Sequence, residues 1–136
     1  MKQSLYQTEL FLPSTVEGLN NCLDIIDDIK VKFGLNFDTC FRLHTVIVEA
    51  VENAFIHGNK GVIESKVRLF ISITETEIFI EVEDTGPGFD LNSILSPVDR
   101  ADLKSEGGRG IFFIKKLSSG CSTEGKGNII RIKLNR

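Results

Sequence analysis

The chain has 136 residues, 41% hydrophobic and 26% charged, with a formal net charge of −3 at pH 7. This is enough chain for one compact domain with a real core, in the composition range of soluble globular proteins. The acidic balance argues against a dedicated nucleic-acid binder, whose footprint is basic, but leaves room for a small basic phosphate site. No apolar run approaches the roughly 20 residues that cross a bilayer. The N-terminal MKQSLYQTEL carries polar and charged residues where a secretory signal needs an apolar centre, so the sequence reads as cytoplasmic. Cys22, Cys40 and Cys121 are odd in number and widely spaced. They are expected to be small buried hydrophobes in a reducing compartment, not a zinc site or a disulfide framework.

Residues 3–12 alternate loosely and stop at Pro13, which predicts a first strand. Ser14, with Glu17 three residues on, has capping-box spacing and predicts the start of a helix. Val16, Leu19, Leu23, Ile26 and Ile29 carry its helical period to Phe33, and Gly34 is expected to end it. A second helix is expected from Asn36 or Asp38 to about His57, with Gly58 as its punctuation. Residues 66–74 and 77–84 alternate with period two around a polar turn, the pattern of a hairpin. Val67, Leu69, Ile71 and Ile73, with Ile78, Ile80 and Val82, make one of its faces core. Residues 85–109 are rich in Gly, Pro and charge, with a short helical hint at 98–104; a loop of that length is usually functional or mobile. Residues 110–117 read as a helix, and CSTEGKGNIIRIKL as a closing hairpin. The order β-α-α-β-β-(loop)-α-β-β predicts an α/β (α+β) two-layer sandwich over a single domain, 1–136. Helices cover one face of a mixed, mostly antiparallel sheet.

Three segments carry polar chemistry. At about 100° per residue, the second helix puts Leu43, Ile47, Ala50, Val51, Ala54 and Phe55 on a core face. Glu49 and Asn53, four apart, stack on another face, with Arg42 before them and His57 after. This is either a solvated helix face or an amide beside a carboxylate suited to hydrated Mg²⁺, which takes few protein ligands. Asp84-Thr85-Gly86-Pro87-Gly88 directly follows a strand. It fits an Asx-capped turn, and equally a site where glycine lets backbone approach a flat ligand while Asp84 accepts from an adenine amine. Gly107-Gly108-Arg109-Gly110 precedes the third helix, as a flexible linker or as backbone N–H groups poised for a phosphate, with Arg109 adding charge. No Gly-Lys-Ser/Thr follows, so it is not a Walker A loop.

Together, in this order, the segments resemble the N box and two glycine boxes of the GHKL (Bergerat-fold) ATPase superfamily, matched by Glu49–Asn53, Asp84–Gly88 and Gly107–Gly110. The resemblance runs from Leu43 to the terminal strand. It implies that Asn53 binds Mg²⁺, that Asp84, Gly86 and Gly88 form the adenine end of an ATP site, and that Gly108, Arg109 and Gly110 meet the phosphates. It also implies a mobile ATP lid at about 91–107. His57 matches the helix-end residue and suits a capping role. The closing strand departs from the family's Gly-Thr-Thr, reading Gly127-Asn128-Ile129; the water-mediated adenine contact of the threonine passes to Asn128 or is lost.

Within the superfamily, EAVENAFIHGN, the chain's size and GGRGIFFIKKL are similar to the anti-sigma-factor serine/threonine kinases of the RsbW and SpoIIAB kind. That branch implies Glu49 as general base on the substrate hydroxyl. The substrate is implied to be a STAS-type anti-anti-sigma protein, with a sigma factor as a second partner and a homodimer as the assembly. Neither nucleic acid nor membrane is a direct partner. A nucleotide-gated binding module without kinase activity is the alternative. A sensor histidine kinase is disfavoured, because those need an upstream phosphoacceptor helix for which neither His44 nor His57 has room, and Ile56 stands where they place a phosphate-binding lysine.

Overall fold

The computed structural model describes residues 3–59, 65–86, 106–125 and 128–136. Strand β1 (Tyr6–Pro13) leads into helix α1 (Val16–Phe33). The cap of α1 is Thr15, not Ser14. The Thr15 N–H turns back to the Pro13 carbonyl at 2.8 Å, leaving Thr15 extended, with its hydroxyl accepting from the Gly18 N–H at 3.1 Å. The Ser14 hydroxyl reaches the Ser65 carbonyl instead. Gly34, at φ 55°, takes the left-handed conformation that ends α1 and donates its N–H to Lys30 and Val31. Helix α2 (Phe37–Asn53) is capped by Asn36, whose Oδ1 accepts from the Thr39 N–H at 2.8 Å. It then widens into a π-helical turn, Ala54–Gly58, closed by the Asn59 N–H on the Ala54 carbonyl at 2.8 Å. The extent expected for this helix holds, but its last turn carries one residue more than α geometry would.

Strands β2 (Lys66–Ile73) and β3 (Glu77–Glu83) form the expected hairpin. Helix α3 (Glu106–Leu117) is followed by β4 (Gly120–Glu124) and β5 (Ile129–Asn135). The helical hint at 98–104 lies outside the described residues. Helix α3 begins at Glu106, not Gly110, so the glycine-rich run forms its first turn. Glycine costs about 1 kcal/mol per residue in a helix, which hides this turn from propensity; Ile111 and Ile114, both buried, dock the helix through packing.

The sheet order is β1-β2-β3-β5-β4, and every pair among the described residues is antiparallel. The mostly antiparallel sheet that was expected is observed, and the connections explain its pairing among the described residues. Two helices reverse the chain twice between β1 and β2, which leaves those strands antiparallel. Strands β3 and β4 are not neighbours, because β5 inserts between them and pairs antiparallel with both. The α+β sandwich itself stands as expected.

The register stacks Ile71 on Ile80 and Ile80 on Ile132, with Leu69–Val82–Ile130 and Ile73–Ile78–Leu134 as adjacent rows. Cys22, Ile26 and Ile29 of α1 and Leu43, Val46, Ile47, Ala50 and Val51 of α2 close over them. Each fully buried aliphatic side chain contributes about 1.5–3 kcal/mol against exposure. Of the cysteines only Cys22 is buried; Cys40 and Cys121 are half-buried. Burial, helped by Glu52, pushes the Cys22 thiol up to about 12, so it stays protonated and inert.

The other face of the sheet carries an ion-pair ladder across all five strands. Arg68 on β2 bridges Glu9 on β1 and Glu81 on β3, Glu81 also holds Arg131 on β5, and Arg131 reaches Glu124 on β4. At the C-terminus, Arg136 donates to the Thr74 carbonyl at 2.9 Å and lies over the Phe33 ring. No helix among the described residues is long and apolar enough to cross a membrane.

Candidate functional site

Asp84 directly follows the central strand β3, and four separate stretches converge there. Asp84 is half-buried, and its Oδ1 accepts from the Gly86 N–H at 2.7 Å. This is the Asx turn the sequence allowed. It does not exhaust the carboxylate, which has about four lone-pair sites. The Asp84 main chain is held on both sides by Asn128: its N–H donates to the Asn128 carbonyl at 3.0 Å, and Asn128 Nδ2 donates to the Asp84 carbonyl at 2.8 Å. The residue standing in place of the usual threonine therefore grips the backbone of the aspartate.

Gly58, at the end of the π-helical turn, lies directly on this strand end. A Cβ on Gly58 would sit 2.2–2.6 Å from the Asp84 carboxyl atoms, and one on Gly86 would sit 2.3–2.8 Å from the Gly58 backbone. Gly86 is thus required by its close approach to the Gly58 backbone, and Gly58 by the Asp84 carboxyl group that lies against it. Asn59 follows and is buried, at 4% exposure. Its Oδ1 accepts from both the N–H and the hydroxyl of Thr85, each at 2.9 Å, and its Nδ2 donates to the Ser65 carbonyl at 2.8 Å.

Asn53 and Asp84 line one small cavity together with Ala50, Ala54, Val82, Ile111, Asn128 and Ile130. Its volume of about 10 Å³ is that of a single water. Glu49, one turn before Asn53, extends toward the first turn of α3: a Cβ on Gly110 would lie 2.8 Å from its Oε2. The second helix and the glycine-rich turn, 57 residues apart when counted from Asn53 to Gly110, are therefore in contact at these residues.

Arg42 does not join the group. It is engaged at the start of α2, donating to Asp38 at 2.9 Å and to the Thr39 hydroxyl at 3.3 Å. His57 belongs to the π-helical turn by its backbone, while its side chain lies outside the described part of the structure. The backbone of Gly108 and Arg109 is in the first turn of α3, and the Arg109 side chain is outside the description. Gly88 and positions 91–105 of the expected lid also lie outside the described residues; 106 and 107 open α3.

Sequence reading missed Gly58 and Asn59 as parts of the site, treating Gly58 as a helix stop. The available signal was a buried-type glycine followed by an amide with no capping task. The donor set suits the implied ligand: a carboxylate at the glycine turn for an amine, a glycine cradle that any Cβ would fill, and an amide beside a carboxylate for a hydrated Mg²⁺. Among the described residues no three His, Cys, Asp or Glu cluster as an all-protein metal cage.

This geometry belongs to a known class. Residues 12–134 match the histidine kinase-like ATPase domain family, and the chain is a member of it. It is 30% identical over 124 residues to an anti-sigma F factor of Clostridium botulinum, covering 87% of this chain and 76% of that protein. A serine-protein kinase RsbW of Bacillus licheniformis is 27% identical over 123 residues, covering 86% and 77%. The RsbW kinase of Staphylococcus aureus is 28% identical over 120 residues, covering 80% and 73%.

Proposed function

We propose that this chain is an ATP-dependent serine/threonine protein kinase that acts as an anti-sigma regulatory factor, with a serine on a STAS-type anti-anti-sigma protein as its acceptor. The observation that carries the reading is the meeting of Asn53 and Asp84 on one cavity, with Glu49 one turn before Asn53 and against the glycine-rich start of α3. Relatives bearing the names serine-protein kinase and anti-sigma F factor support it.

In this reading Asp84 accepts from the adenine amine, while Gly86 and Gly58 let the base lie against backbone. The first turn of α3 would present its backbone N–H groups to the phosphates, with Gly108, Arg109 and Gly110 as their contacts. Mg²⁺ held at Asn53 would supply charge neutralisation to the phosphates. Glu49 receives the proton of the acceptor serine as its Oγ forms a bond to the γ-phosphorus and the bridging P–O bond breaks, releasing ADP. Glu49→Gln is expected to retain ATP affinity and lose transfer by about 10²–10⁴-fold. Asp84→Asn is expected to weaken ATP binding about tenfold or more. Single-turnover transfer from labelled ATP to the acceptor, beside a binding titration, checks both; full transfer by Glu49→Gln sinks the general-base role.

A second reading has its own support. The cavity is far smaller than a purine, and Ile111 of α3 lines it. A shift of α3 on nucleotide binding would suit a module whose partner affinity is gated by nucleotide. Partner affinity that responds to ATP, with no phosphoserine formed on the partner, selects this alternative.

A further inference from the structure

We infer that Asn59 is a positioning residue for base recognition: it sets the turn that aims the Asp84 carboxylate and thereby controls the preference for adenine. The inference rests on the reading of Asp84 as the acceptor of the adenine amine.

Asn59 uses both ends of its amide. The oxygen takes two hydrogen bonds from Thr85, at 2.9 Å each, and the nitrogen donates to the Ser65 carbonyl at 2.8 Å, with the Ser14 hydroxyl beside it at 3.5 Å. It is one of few buried polar side chains among the described residues. A buried amide is costly unless satisfied, so the site is built around these contacts. They fasten the turn after β3 to the residue preceding β2 and to the residue preceding the α1 cap.

The neighbours determine what that fastening does. Thr85 lies between Asp84 and Gly86, the two residues of the Asx turn. Gly58, directly before Asn59, lies within van der Waals contact of the Asp84 carboxylate and the Gly86 backbone. Asn59 therefore fixes both sides of one contact, the turn through its side chain and Gly58 through its own backbone. Asn128 restrains the Asp84 main chain from the opposite side. With Asn59 removed, Asn128 still holds the carbonyl end of the Asp84–Thr85 peptide, but the Thr85 N–H and hydroxyl lose their acceptor, and the turn that aims the carboxylate is held from one side only.

The test compares affinity for ATP with affinity for purine riboside triphosphate, which lacks only the exocyclic amine. The native chain is expected to prefer ATP about tenfold or more, and Asp84→Asn to abolish the preference. If the native chain has no preference, or Asp84→Asn keeps it, the base reading falls and takes this inference with it. With those two controls in place, Asn59→Ala is expected to cut the preference at least fivefold while changing affinity for the desamino nucleotide less than threefold. Equal losses for both nucleotides, or an unchanged preference, overturn the inference, since a merely structural role moves both affinities together. If Asn59→Ala does not fold, Thr85→Ala removes one of the two bonds at an exposed residue and must shift the same ratio in the same direction; no shift there overturns the inference equally.

Discussion

At the scale of single residues, the site depends on backbone meeting backbone. Gly86 and Gly58 approach so closely that a methyl group on Gly86 would overlap main-chain atoms, which cannot rotate away as a side chain can. Gly86→Ala is therefore expected to weaken ATP binding by tenfold or more, with a stability loss of about 1–3 kcal/mol. Calorimetric titration and thermal melting measure the two. Gly110 presents a softer case, because the atom a methyl would meet is the end of the Glu49 carboxylate. Asp84 resolves the two readings its motif allowed. The Asx turn is real, and a carboxylate has about four lone-pair sites, so a turn and a ligand contact are compatible rather than competing.

At the scale of elements, the π-helical turn decides where α2 delivers Gly58. Its additional residue moves everything beyond Asn53 by about 100° relative to a continuous α-helix. Deleting Ile56, which is exposed, is expected to restore α geometry and turn Gly58 away from Asp84. Circular dichroism should then change little while ATP affinity falls at least tenfold. The sequence announced α2 through the spacing of Leu43, Ile47, Ala50 and Val51, because burial of one stripe dominates that signal. It could not announce the widened turn, since AFIHG has no composition that distinguishes π from α geometry. The hairpin of β2 and β3 was legible from strict alternation alone. The start of α3 was not, because its three glycines oppose helix formation locally and are overruled by docking of Ile111 and Ile114. The cap of α1 shifted from Ser14 to Thr15, as two adjacent hydroxyls satisfy the same pattern and only the Pro13 turn chooses between them. Asn53, Asp84 and Glu49 stood out in the sequence because their types suit the proposed chemistry; Asn59 did not, since its contacts to Thr85 and Ser65 are set by the fold.

At the scale of the whole molecule, the ladder on the uncovered sheet face makes stability respond to acid. Burial pushes the Glu81 carboxyl up, but hydrogen bonds from Arg68 and Arg131, with their charges, outweigh it and hold it below the usual carboxylate range. A carboxylate depressed in the folded state stabilises above its unfolded value, about 4.3, and that contribution is lost as pH falls through the folded value. Glu81→Gln is expected to cost about 1 kcal/mol at pH 7 and to flatten the acid limb of a stability–pH curve below about pH 4. An unchanged acid limb would assign that sensitivity to other groups.

The convergence at the end of β3 has a thermodynamic corollary. Glu49 to Asn59, Asp84 to Gly86, the start of α3 and Asn128 belong to different parts of the chain, and the shortest fragment that contains them all runs from Glu49 to Asn128. Nucleotide can thus recognise only the assembled sheet and helices, and by mass action it must stabilise them: at one hundred times its dissociation constant, by about 2.7 kcal/mol. A melting temperature that climbs with ATP concentration would make the unfolding transition itself an occupancy gauge, usable before any partner or acceptor is in hand.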